Sequence, residues 1–94
     1  MSNAEYKSKA VKAINNGKVA TYTRHETDGE KVVTYIYRAG RFWTQANYDV
    51  TGDTPELLGE RSTTPEPLER AIDNQTVYLK DADETPVADE ISLK

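Results

Sequence analysis

His25 is the one side chain of the sequence that titrates near neutral pH. It stands just before Thr27-Asp28-Gly29, a tight-turn sequence that favours exposure. Nucleophilic catalysis needs a nucleophile beside a base that a third group orients, and a lone imidazole at a turn supplies none of this. The chain has no Cys, which removes thiolate chemistry, disulfides and Cys-ligated zinc. A single His builds no His-based metal cluster within one chain. Asp49, Asp53 and Glu56 gather around Gly52 in DVTGDTPE, but their spacing is not that of a calcium-binding loop. The other carboxylates crowd acidic segments where nothing fixes their geometry or raises a pKa. No glycine-rich phosphate loop is present. The sequence therefore reads as non-catalytic, with no cofactor and no metal.

Binding chemistry is concentrated in one stretch, VVTYIYRAGRFWTQANY, residues 32–48. It carries Tyr35, Tyr37, Phe42, Trp43 and Tyr48 together with Arg38 and Arg41. An exposed Trp beside Arg is a common composition of protein-binding hot spots. The same rings are also needed inside. Leu, Ile, Val and Phe make up 17 of 94 residues, about 18%, just under the roughly 20% below which disorder becomes a concern. Six Tyr and one Trp supply apolar area that the aliphatic residues do not.

Charge is unevenly placed. Residues 1–48 carry eight basic side chains against four acidic ones, a net +4, and residues 49–94 carry four against twelve, a net −8. Such a split points to a charged partner or to an acidic end that folds back on a basic half. Apolar runs are a few residues long, far short of the roughly 20 that cross a bilayer as a helix. MSNAEYKSKAV has no apolar stretch of signal-peptide length, so the expected setting is the cytoplasm, without a membrane.

The elements that position these residues follow from spacing. Ser2 and Glu5 have the spacing of a capping box. Tyr6, Ala10, Ala13 and Ile14 then recur at helical spacing up to Asn16-Gly17, a helix stop. Residues 18–24, 31–38 and 41–48 are rich in β-branched and aromatic types and read as strands. Asp28-Gly29 signals a two-residue hairpin pairing Thr27 with Glu30 and, continued evenly, Tyr22 with Tyr35. At RAGR a four-residue loop pairs Tyr37 with Phe42. A three-residue loop pairs Tyr37 with Arg41 and exchanges the faces of the third strand. The four-residue loop divides the residues more cleanly. Ala20, Tyr22, Val33, Tyr35, Tyr37, Phe42, Ala46 and Tyr48 then share an apolar face under the helix. Trp43, Ile36, Arg38 and Arg41 fall on the outer face with Thr34 and Gln45. Tyr22, Tyr35 and Phe42 should accordingly be buried, and Thr23, Thr34 and Gln45 exposed.

Residues 54–61 and 64–71 both open Thr-Pro-Glu and read as short helical pieces. TVYLK, residues 76–80, reads as a fourth strand. The end, DADETPVADEISLK, reads as a mobile acidic tail with a short extra strand near Ile91. The predicted fold is α+β: one domain of residues 1–80 followed by the tail 81–94. It has an antiparallel three- or four-stranded sheet with an N-terminal helix on one face and a short second helix.

The order helix, three strands, helix is shared with double-stranded-RNA-binding domains. Those place a Lys cluster at the start of the last helix, where this chain has Thr64-Pro65-Glu66, a combination that repels a phosphate backbone. The expected function is a small non-catalytic binding or regulatory module acting through protein–protein contact on the outer sheet face. Trp43, Ile36, Arg38 and Arg41 are its candidate binding residues, and its partner is another protein or a second copy in a homodimer. The alternative is single-stranded nucleic acid on the same face.

Overall fold

In the computed structural model, residues 2–27 and 29–81 are described, with the side chains of His25 and Glu26 excepted. The expected strand near Ile91 and all of the acidic tail beyond Asp81 lie outside the described residues. The elements run α1 (Asn3–Asn15), β1 (Val19–Thr27), β2 (Glu30–Ala39), β3 (Phe42–Asp49), β4 (Glu56–Thr63), α2 (Pro65–Asn74) and β5 (Tyr78–Lys80). The strands form one antiparallel sheet in the order β4-β3-β2-β1-β5. The fold is α+β, with five strands where three or four were expected.

The first helix is capped as its sequence suggests. Ser2 Oγ accepts from the Glu5 backbone N–H at 3.2 Å. At the other end Gly17 has φ +97°, and the Lys18 N–H returns to the Ala13 carbonyl at 2.9 Å. This is the left-handed stop that a residue without a Cβ adopts at little cost.

The extra strand is β4, which spans most of the segment expected to be helical. Pro55 and Glu56 suit a helix start, but Gly59 in its middle weakens a helix by about 1 kcal/mol. The open edge of β3 offers a ladder of backbone partners instead, from Trp43↔Thr63 to Asp49↔Glu56, interrupted by a register shift that leaves Leu58 without a cross-strand partner. Tertiary pairing overrides the local preference.

Two departures in register decide the faces. The β2–β3 hairpin turns on two residues, Gly40 and Arg41, with Ala39 opposite Phe42. Gly40 has φ +65°, and no described non-glycine residue has a positive φ. Glycine first in a two-residue turn is the type II′ arrangement. The pairing differs from the four-residue loop by an even number of residues, so Val33, Tyr35, Tyr37, Phe42, Ala46 and Tyr48 do share a face. In β1 the register shifts between Thr23 and His25, leaving Arg24 as a bulge. Beyond it Tyr22 lies opposite Thr34 and Ala20 opposite Ile36. The bulge moves Ala20 and Tyr22 to the other side of the sheet from Tyr35.

Both helices pack on that other side. The main core joins Ala10 and Ile14 of α1 with Leu68, Ala71 and Ile72 of α2, over Ala20, Tyr22, Ile36 and Trp43. Thr34 and Gln45, expected in solvent, are buried there, and Thr34 Oγ1 is satisfied by Asn47 Oδ1 at 2.7 Å. Contacts between the helix layer and the C-terminal part close this side: Lys7 Nζ meets Asp73 Oδ2 at 2.8 Å, and the Tyr6 hydroxyl donates to the Val77 carbonyl.

The opposite face carries a smaller cluster of Val19, Val33, Tyr35 and Val50, with Tyr37 and Tyr48 packed against it. The helices take the Trp43 side for a physical reason. An aliphatic and indole surface needs a cover, while tyrosines bury their rings against each other, as Tyr35 and Tyr48 do edge to face. Thr21, fully buried on the tyrosine side, has a hydroxyl without a hydrogen-bond partner among the described residues. Thr21→Val should therefore raise stability by about 1 kcal/mol, seen as a rise in Tm of roughly 4–8 °C.

Candidate functional site

The four residues read from the sequence as a contact surface separate in the structure. Ile36 is fully buried and Trp43 is 9% exposed, both within the helix-side core. The indole Nε1 donates to Asn15 Oδ1 at 2.9 Å, in the last turn of α1. Arg38, the cross-strand partner of Trp43, stays at the surface and donates to the Asn15 carbonyl at 3.4 Å and to the Gly40 carbonyl at 2.8 Å. A cation at a helix C-terminus complements the negative end of the helix dipole. Arg41 is exposed in the turn. Trp43 and Arg38 are thus together, as expected, but they fasten α1 to the sheet. The correction comes from where the helices land, since Trp43 and Ile36 are beneath them.

The face turned away from both helices is the tyrosine side, and its centre of Thr21, Val33 and Tyr35 is itself buried. Reading across the strands, one row is Leu57, Tyr48, Val33 and Thr23, and the next is Glu60, Ala46, Tyr35, Thr21 and Tyr78. Tyr35 and Tyr48 meet edge to face, with centroids 5.4 Å apart. Tyr35 at the centre is 3% exposed, while Phe42, Tyr78 and Leu57 around it are 63%, 55% and 50% exposed. Phe42, expected in the core, lies beyond the Tyr37 row at the open end of the sheet. Tyr37 donates to Glu60 Oε2 at 2.9 Å. Burial, reinforced by that hydrogen bond and the carboxylate charge, pushes its hydroxyl up to about 12. The arrangement is a packed aromatic centre with a partly open apolar rim.

The loop carboxylates have local structural use. Asp49 Oδ1 accepts from the Thr51 N–H at 2.9 Å, an Asx-type turn after β3. Among the described residues no three His, Asp or Glu side chains gather as a metal site would require. The side chain of His25 lies outside the described set. Among the described residues, no helix is long and apolar enough to cross a membrane.

Leu57 and Tyr78 escaped the sequence reading because their exposure on this face depends on which strands β4 and β5 join. The period-two pattern did place Phe42 with Tyr35 and Tyr37, and that part of the signal was legible.

No protein-family model matches the chain, and neither the curated proteins nor the solved structures contain a significant match to it.

Proposed function

We propose that this protein is a small, non-catalytic binding or regulatory module whose outer sheet face makes protein–protein contact, with another protein or with a second copy of itself. The observation that carries this reading is the apolar rim of Phe42, Leu57 and Tyr78 around a tyrosine centre. Aromatic residues set in an apolar patch are the composition enriched at interface centres. The reading also places the module in the cytoplasm.

Single-stranded nucleic acid on the same face is the alternative, and tyrosine rings could stack bases. Phosphate backbones require cations among the rings, and the outer face has Glu60 bonded to Tyr37 there. This favours a protein partner.

The test uses Phe42→Ser, Leu57→Ser and Tyr78→Ser in the full chain. Each should leave Tm nearly unchanged and weaken self-association by sedimentation, or capture of a partner from the native host, by about tenfold or more. Association that persists in all of these variants would remove the outer face as the contact surface. Retention on nonspecific oligonucleotide that falls steeply with salt would favour the alternative.

A further inference from the structure

On the helix side of the sheet, away from the tyrosine face, a groove of about 340 Å³ opens between α2 and strands β1, β3 and β4. Arg24, Arg61 and Arg70 line it together with Tyr22, Gln45 and Asn74. Each arginine arrives by a different route. Arg24 is the bulge residue of β1, and a bulge commonly re-aims a side chain. Arg61 lies on β4 as the cross-strand partner of Gln45. Arg70 faces them from α2, with a loose 3.9 Å contact to Glu66 as its ion pair.

Gathering three guanidinium groups is unfavourable by itself, in a chain whose net charge is −4. Arg24 and Arg61 take part in no ion pair among the described residues. Their convergence is felt by the Tyr22 hydroxyl, where burial raises the pKa and the charges of Arg24, Arg70 and Arg61 all pull it down. Gln45 adds a second, independent observation. It lines the groove and is 4% exposed, yet its Oε1 has no hydrogen-bond partner among the described residues. A buried acceptor beside two unpaired arginines and a third held only by the loose Glu66 contact is what a ligand carrying both an anion and a donor would satisfy.

We infer that this groove binds a phosphate monoester, with Arg24, Arg61 and Arg70 on its phosphate oxygens and a neighbouring donor of the ligand on Gln45 Oε1. A carboxylate is matched by one bidentate arginine, whereas a phosphate monoester presents three strong acceptor oxygens and close to two charges at neutral pH. The volume is at the small end of ligand sites, enough for one phosphorylated group. Glu66 and Asp73 of α2 are exposed and make α2 a poor neighbour for a long polyanion. The phosphate could belong to a free small molecule or to a phosphorylated side chain of another protein.

The test is an NMR titration of the full chain at constant ionic strength with glycerol phosphate, a phosphoserine peptide and a single-stranded oligonucleotide. Either phosphate monoester should give saturable shifts at the Gln45 side-chain amide and around Arg24, Arg61 and Arg70. Arg24→Gln and Arg61→Gln should each weaken binding about tenfold, roughly 1.4 kcal/mol, with Tm unchanged. Lys9→Gln, exposed on α1 and outside the groove lining, should bind normally. Glycerol phosphate binding as tightly as the peptide identifies a small-molecule source, and a peptide tighter by about tenfold or more identifies a protein source. Shifts no larger than those from sodium chloride, or unchanged affinity in both groove variants, would overturn the proposal. An oligonucleotide that binds more tightly than both monoesters would also overturn it, in favour of a polyanion.

Discussion

Trp43→Ala is expected to lose about 3–5 kcal/mol of stability, a large share of the roughly 5–15 kcal/mol that holds a small domain folded. The indole is 9% exposed and touches both layers, filling the space between α1 and the sheet. Its Nε1 donates to Asn15 Oδ1, so truncation leaves a cavity and also removes a tie between the sheet and the end of the helix. Urea unfolding followed by far-ultraviolet circular dichroism measures the loss, because the variant has no Trp to follow. Trp43→Phe, which keeps much of the ring volume but drops the N–H, should fall between wild type and Ala. The wild-type emission should be blue-shifted in dilute monomeric solution. Red emission there, or a Trp43→Ala variant as stable as wild type, would mean that α1 does not cover the ring.

The second large effect belongs to the opposite face. Tyr35→Ala should also cost about 3–5 kcal/mol, although among the described residues no helix joins its cluster. At 3% exposed it is the centre of the smaller cluster, with Tyr48 edge to face on it. Such ring pairs contribute about 0.5–1.5 kcal/mol beyond area burial. Phe42→Ala, on the same face but 63% exposed, should stay within about 0.5 kcal/mol of wild type. The contrast between these variants in the same unfolding assay separates the packed centre from the rim. Equal losses at both positions would contradict it.

Much of the fold could be read from short-range chemistry. Ser2 with Glu5, Asn16-Gly17 and Asp28-Gly29 placed the first helix and the first turn, because caps and tight turns depend on a few neighbouring residues. Alternation in β2 and β3 grouped Val33, Tyr35, Tyr37, Phe42, Ala46 and Tyr48 correctly, since that grouping requires only even spacing. The second loop has two residues, Gly40 and Arg41, where four were expected, a difference of even number that left the faces unchanged. The bulge at Arg24 had no such marker. No Gly or Pro stands there, and a single unpaired residue sent Ala20 and Tyr22 to the opposite face. The strand character of β4 came from the free edge of β3, which lies outside any local window. The candidate site suffered most from these long-range effects. Whether Trp43 was surface or core depended on the landing place of two helices, and the arginine groove joins residues from β1, β4 and α2 that are far apart in sequence.

The contact between Asn15 and Trp43 also bears on the order in which the molecule assembles. α1 leaves the ribosome before the elements it packs against: Trp43 on the third strand, Leu68 on α2, and Val77, whose carbonyl accepts from the Tyr6 hydroxyl. The hairpins close through neighbours a few residues away, while docking of α1 requires loops of 28 and 71 residues to close, the slower class of event. A helix made before its partners is therefore among the last elements to settle, and during co-translational folding its apolar stripe stays open to chaperones until α2 and Val77 have been synthesised.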